Sequence, residues 1–195
     1  PQAGGYANHA MHHLEIAENP RQAWRSDIGS GSDDETKLLA RPVVMNGRIA
    51  TFDAEATVAV FEAEAGRLLW RRALTPEGEE EGAIGGGVGI ADGLVFASTG
   101  YGFIHALDLD SGKERWRRRI GVPIRGAPTA VGGRVFAITY DNQLHALSST
   151  DGRTLWTHAG IPEDAGLLGA PSPAVGGGIV VAPYTSGELF ALRVE

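Results

Sequence analysis

Cysteine occurs nowhere in the 195 residues. Its absence excludes a disulfide frame, a thiolate metal site and a cysteine nucleophile, and leaves the compartment open. Basic charge is also short: 17 Lys and Arg stand against 24 Asp and Glu, a net charge of −7. Gripping phosphates needs the opposite balance, so nucleic acid is not an expected partner. No apolar run approaches the roughly 18 residues that cross a bilayer as a helix. Helical periodicity is nearly missing too, the best candidate being the stretch from Ala10 to Ile16. There is no G-x-S-x-G elbow and no Ser, His and Asp set that reads as a nucleophile with its base. The sequence opens at Pro1 with neither initiator methionine nor signal peptide, which reads as a processed or trimmed product.

Glycine, by contrast, is abundant at 28 residues, and it recurs in step with four tryptophans. Trp24, Trp70, Trp116 and Trp156 are spaced 46, 46 and 40 residues apart. Three of them end one phrase: V-A-V-F-E-A-E-A-G-R-L-L-W from Val58, I-H-A-L-D-L-D-S-G-K-E-R-W from Ile104 and L-H-A-L-S-S-T-D-G-R-T-L-W from Leu144. A fourth copy begins as L-F-A-L-R-V-E at Leu189. Upstream of each lies a second phrase with a matching turn residue, Gly47, Gly93, Gly133 or Gly178. Repeats of about this length, each holding several short strands, are the signature of propeller blades.

Each unit reads as four strands. An N-G, D-G or G-G turn joins the first two, the strongest short hairpin signal. The A-L-D phrase is the third strand, and the fourth runs from a glycine turn to the tryptophan. A four-stranded blade has two apolar faces and buries them only by stacking on neighbours. Tryptophan suits that joint, with a large apolar surface and one N–H in need of an acceptor. Ala106 and Ala146, ten residues before their tryptophans, leave room for close approach; Val60 replaces them in the first copy, which is expected to pack wider there. Gly66, Gly112 and Gly152, four residues before each tryptophan, are expected to turn the chain between third and fourth strands.

The expected fold is therefore all-β, a β-propeller of four-stranded antiparallel blades with tryptophan docking, about four blades being present. Residues 1–21 are expected to form an extended N-terminal segment and 22–30 an isolated strand of the final type. Blades are expected at 41–72, 87–119 and 127–158, with an incomplete blade at 171–195. The last unit lacks the strand that the Trp24 segment would supply. The chain is then half of an eight-bladed ring, a four-bladed ring closed on itself, or one half of a two-chain ring made by strand exchange. The tryptophan-ended phrase resembles that of eight-bladed propellers, and the pitch this resemblance implies resists the tighter four-bladed ring, which favours the first and third.

The phrase A-x-D-x-x-x-G-x-x-x-W resembles the docking motif of the quinoprotein-like eight-bladed propellers. Ala106, Asp108, Gly112 and Trp116 match it fully; Val60 and Glu62, and Ser148 in the third copy, are soft substitutions. Within that superfamily, Q-A-W-R-S-D-I-G-S-G from Gln22 and the lead from Pro1 resemble the BamB family of the outer-membrane β-barrel assembly machinery. The resemblance implies a periplasmic protein that docks on the periplasmic domains of BamA and meets the membrane only through a lipid anchor outside this chain. In that family a loop entering the fourth blade supplies apolar residues and an arginine. The matching stretch is Ile161 to Gly169, where Leu167 and Leu168 would take the apolar part; no arginine is present there, a departure from the pattern. The superfamily also holds quinone-dependent alcohol dehydrogenases, whose vicinal cysteine pair is missing. A periplasmic ligand-sensing propeller domain is the other alternative. No cofactor, metal or catalytic residue is expected.

Other candidate sites read as structure. His9, His12 and His13 have metal-binding spacing but read as a polar extension. His105 and His145 share a repeat position that holds Ala59 and Phe190 elsewhere, and so read as packing. Asp108, Asp110 and Gly112 imitate the start of a calcium loop but lack its later ligands. The glycine-rich run from Gly82 has no phosphate-loop lysine and reads as a connection between blades. Glu77 to Glu81 and Arg115 to Arg119 read as solvated rims of opposite charge.

Overall fold

A computed structural model describes residues 18–79, 82–163 and 171–194. The candidate helical stretch Ala10 to Ile16, the three N-terminal histidines, and Leu167 and Leu168 lie outside the described residues. No helix occurs among those described, and fifteen strands form four antiparallel sheets. Blade 1 holds β1 (Val43–Met45), β2 (Arg48–Phe52), β3 (Thr57–Glu62) and β4 (Leu68–Ala73). Blade 2 holds β5 (Gly86–Ala91), β6 (Leu94–Thr99), β7 (Phe103–Asp108) and β8 (Glu114–Arg119). Blade 3 holds β9 (Thr129–Val131), β10 (Arg134–Ile138), β11 (Gln143–Ser148) and β12 (Thr154–Ala159). Blade 4 has three strands among the described residues, β13 (Ala174–Gly176), β14 (Ile179–Pro183) and β15 (Leu189–Arg193). Strands follow chain order within every sheet. The molecule is a partial β-propeller of about four blades.

The first hairpin of each blade turns where the sequence says it must. Asn46 and Gly47, Asp92 and Gly93, Gly132 and Gly133, and Gly177 and Gly178 all have positive φ in consecutive pairs. Two left-handed residues in a row make the turn whose twist matches paired strands. Third and fourth strands share a second irregularity. A register shift follows Val60, Ala106 and Ala146 in turn, opposite the tryptophan each time. Such a bulge sharpens the local twist and re-aims the side chains beyond it.

Three apolar layers lie between successive blades, one cluster joining blades 1 and 2, one joining 2 and 3, and one joining 3 and 4. Phe96 and Phe136 are fully buried in the second and third. Removing one such side chain from water stabilises the fold by about 1.5–3 kcal/mol. Phe96 stands opposite Ala106 and Phe136 opposite Ala146, the small residue making space for the ring. In blade 1 the pair is Ala50 opposite Val60, both buried completely. The expected wider packing at Val60 is thus offset from across the ladder: where the third strand gains bulk, the second loses it.

Inner strands set the curvature. β5 packs on β1 and β2, β9 on β5, and β13 on β9. The second half of the glycine-rich run, read as a connection, is part of β5. Its reason is proximity: a Cβ at Gly87 would lie 2.8 Å from the Cβ of Ala127 at the entry to blade 3. Ser98 Oγ donates to Gly126 O at 2.7 Å across the same joint.

Candidate interaction site

Trp24, Trp70 and Trp116 each reach across to the blade that follows. Trp70 Nε1 donates to Leu109 O of blade 2 at 2.9 Å, and Trp116 Nε1 to Ser149 O of blade 3 at 2.9 Å. Trp24, ahead of the first sheet, does the same to Ala63 O of blade 1 at 3.1 Å. Under each indole lies the glycine of the third-to-fourth strand turn. Gly66, Gly112 and Gly152 have φ near +70°, and a Cβ on any of them would strike the indole above. These glycines therefore answer to two constraints, the left-handed turn and the neighbour's tryptophan, where the sequence alone suggested only the turn. Trp156 differs. It packs on Phe136 with ring centroids 5.9 Å apart, but its N–H finds no acceptor among the described residues.

Asp108 shapes the turn that receives Trp70. Its carboxylate accepts from Ser111 N at 3.0 Å, Ser111 Oγ at 2.7 Å and Arg115 at 2.7 Å. These bonds, with Ser111 foremost, pull its pKa down to about 2. Asp110 turns away to pair with Arg48 of blade 1 at 3.0 Å. The two carboxylates diverge onto separate partners, so the calcium-loop likeness has no geometric counterpart.

The basic stretch Arg115 to Arg119 is largely engaged. Arg118 donates to Thr154 Oγ1 of blade 3 at 3.3 Å, and Arg117 lies 5.6 Å over the Phe103 ring. Arg72, at the position of Arg118 one blade earlier, approaches Glu114 of blade 2 at 3.8 Å. Glu114 also meets His105 Nδ1 at 2.9 Å. His105 is nearly sealed from solvent, and its Nε2 has no hydrogen-bond partner. Burial lowers its pKa below the usual 6.5, against the opposing pull of Glu114. His145, one blade on, is lowered by burial as well. No three His, Asp or Glu side chains converge as a metal-binding group among the described residues.

The loop expected to meet a partner leaves blade 3 at Gly160, and its base is firmly held. Asn142 Nδ2 donates to Ile161 O at 2.7 Å, and Ile161 N donates to Glu188 Oε2 of blade 4 at 3.0 Å. Asn142 is fully buried with φ +58°, and its Oδ1 accepts from Thr185 N and Oγ1 at 3.1 and 2.9 Å. Asparagine tolerates the left-handed region better than most residues. Sequence reading passed over Asn142; its signal is that Gly102 and Gly187 fill the equivalent turn in blades 2 and 4. Beneath the loop, Tyr184 Oη donates to His158 O at 3.2 Å and accepts from His158 Nδ1 at 3.0 Å. Burial pushes the Tyr184 hydroxyl up to about 12. On this rigid base the Ile161 side chain stands 56% exposed. An apolar side chain offered to solvent from a fixed mount suits a protein-binding loop.

The model of the outer membrane protein assembly factor BamB matches residues 15–81 and 77–195. The chain belongs to the BamB family. Among its relatives, BamB of Alteromonas naphthalenivorans is 30% identical over 189 residues, covering 90% of this chain and 45% of that protein. An uncharacterized protein of Rickettsia prowazekii is 29% identical over 165 residues, 84% of this chain and 40% of the other. The chain thus spans less than half the length of these relatives. Among solved structures, BamB from Moraxella catarrhalis superposes with a TM-score of 0.66 at 20% identity, over 88% of this chain and 49% of that one. The computationally designed Ika4 protein gives 0.67 at 13% identity, over 91% of this chain and 100% of that one. A quinohemoprotein alcohol dehydrogenase from Pseudomonas putida HK5 gives 0.57 at 23% identity, over 73% and 23%.

Proposed function

We propose that this chain is a non-catalytic scaffold of the outer-membrane β-barrel assembly machinery, docking on the periplasmic domains of BamA. The observation that carries the reading is the BamB-family match along residues 15–195 in two overlapping stretches. The loop after Gly160 supports it, because its base is locked between blades 3 and 4 while Ile161 faces solvent. Rigid mounting lowers the entropy lost on binding, so a short apolar loop gains affinity from it. Leu167 and Leu168, a few residues further on, would supply the rest of the apolar contact. The docked scaffold would work in the periplasm, at the outer membrane. Likeness to the alcohol dehydrogenase is one of fold alone and carries no chemistry.

The test is capture on immobilised BamA periplasmic domains. The chain is expected to bind, and Leu167→Asp with Leu168→Asp to weaken binding at least tenfold, since a charge in an apolar contact is left desolvated and unpaired. Unchanged binding by that double variant would remove the loop from the contact, and no binding by the parent chain would remove the reading. Addition of pyrroloquinoline quinone with calcium is expected to give no dye-linked alcohol oxidation.

A further inference from the structure

All four blades share a turn between second and third strands that holds one left-handed residue. It is Ala56 in blade 1, Gly102 in blade 2, Asn142 in blade 3 and Gly187 in blade 4, with φ of +62°, +76°, +58° and +85°. In blades 1 to 3 the carbonyl of this residue accepts the N–H that opens the connection to the next blade. Leu74 N donates to Ala56 O at 3.1 Å, Gly121 N to Gly102 O at 3.2 Å and Gly160 N to Asn142 O at 2.8 Å. The connections therefore leave their blades from one place.

Beyond that place two of them part. Val122 and Ile161 are the same residue of the connection, each standing between a glycine and a proline. In blade 2 the connection rests on the bare turn. A Cβ at Gly102 would lie 2.9 Å from Val122 O and 3.0 Å from Val122 N, and Val122 is half-buried. In blade 3 a side chain fills that space, Asn142 Nδ2 donating to Ile161 O at 2.7 Å, and Ile161 is exposed. The connection also lengthens here: Pro162 to Pro171 is four residues longer than Pro123 to Pro128.

Glycine would make this turn with less strain, as it does in blades 2 and 4. Asparagine is held in its place by what the side chain does. It is buried completely, and its Oδ1 is fastened to blade 4 by Thr185 N and Oγ1. Its Nδ2 holds the carbonyl of Ile161, while Glu188 of blade 4 holds the Ile161 N–H at 3.0 Å. A backbone gripped at both its N–H and its C=O by side chains from two blades has one orientation, so the Ile161 side chain points one way.

We propose that Asn142 is the positioning residue of the loop after blade 3, lifting Ile161 off the blade and fixing it as an apolar contact for a protein partner. The identity of that partner rests on the BamA docking proposed above; the lift of Ile161 does not. A contact already ordered in the free protein loses less entropy on binding.

Amide exchange resolved by NMR, with capture on immobilised BamA periplasmic domains, tests the proposal. Asn142→Gly keeps the turn and removes both tethers, and is expected to speed exchange at Ile161 and Thr185 by about tenfold while the strands keep their protection. Asn142→Asp keeps an acceptor for Thr185 but offers none of the N–H that holds Ile161 O, so exchange is expected to quicken at Ile161 alone. It carries the test should the glycine variant fail to fold. Both variants are expected to leave the BamA domains about three- to tenfold faster than the parent chain, as loss of one pre-ordered side chain implies. Parent-like exchange at Ile161 in both variants overturns the proposal, and so does parent-like dissociation once Ile161 is loosened. A parent chain that is not captured removes the BamA reading, and the exchange at Ile161 then upholds or overturns the positioning role by itself.

Discussion

The indole of Trp70 in blade 1 rests against Gly112 in blade 2, where a Cβ would lie 2.7 Å from Cδ2 and Cε3 of the ring. Gly112 also has φ +68°. Both constraints act on Gly112→Ala, whereas Gly93→Ala meets only one, since Gly93 has φ +73° and open space around it. A left-handed non-glycine residue costs roughly 1–2 kcal/mol, and forced overpacking about 1–3 kcal/mol more. Urea unfolding should therefore show Gly112→Ala destabilised by about 2–5 kcal/mol and Gly93→Ala by about 1–2 kcal/mol. Equal losses at the two sites would mean that the indole makes no demand on the glycine.

Hydrogen bonding separates the tryptophans. Trp116 donates to Ser149 O across the joint, while Trp156 packs on Phe136 at the same ring distance that Trp116 keeps from Phe96, with no acceptor for its N–H among the described residues. Substitution by phenylalanine removes similar apolar area at each site but breaks a bond only at Trp116. A typical net hydrogen bond contributes about 1 kcal/mol, and stranding a buried carbonyl costs more. Trp116→Phe is expected to lower stability by about 1–2 kcal/mol more than Trp156→Phe in the same denaturant series.

Local signals explain why the blades are legible in sequence. The paired left-handed residues at Asn46 and Gly47 or Asp92 and Gly93 declare their hairpins, and the tryptophan period declares the repeat. Relationships between strands far apart in the chain are not written locally. Nothing near Val60 announces that Ala50 has shrunk to receive it, and nothing near Gly112 names Trp70 as the residue that forbids a side chain there. Asn142 is a similar case. Its turn is visible as the counterpart of Gly102, but its grip on Ile161 and Thr185 depends on how two blades meet. The basic stretch around Trp116 is exposed, as a solvated rim should be, but only the packed blades bring Thr154 within reach of Arg118.

Acid should weaken the joints through two histidines, His105 sealed in the fold and His145 half-buried. Burial holds His105 and His145 below the usual 6.5 in the folded chain. As pH falls through that value the unfolded chain takes up protons first, so folding stability is intact above it and declines below it. His105→Gln with His145→Gln removes both groups. The loss of unfolding free energy between pH 7.5 and pH 5.5 is expected to shrink in the double variant, whatever its stability at pH 7.5. An unchanged slope would place the pH response elsewhere.

Asp53 holds the Trp24 segment to blade 1 from within the fold. The side chain is buried, with Oδ1 accepting from Glu55 N and Thr57 N at 3.0 and 2.7 Å and Oδ2 accepting from Ser30 N at 3.1 Å. Asp53→Ala strands all three donors; with charge-assisted bonds each contributing about 1.5–3 kcal/mol, a loss of at least about 4.5 kcal/mol is expected. Asp53→Asn is more selective. Its remaining carbonyl oxygen can keep the turn amides of Glu55 and Thr57, but its NH2 group then faces the N–H of Ser30. Global stability should fall by only about 1 kcal/mol, the scale of one ordinary hydrogen bond. The segment should loosen more than that, because its other ties to blade 1 are the backbone bond from Ala54 N to Ser30 O and the single bonds of Trp24, Ser26 and Asp27. Tryptic cleavage after Arg25, timed by mass spectrometry, is expected to run several-fold faster in Asp53→Asn. Asp110→Asn, which disturbs only the exposed pair with Arg48, should leave both the cleavage rate and the melting transition nearly where they were.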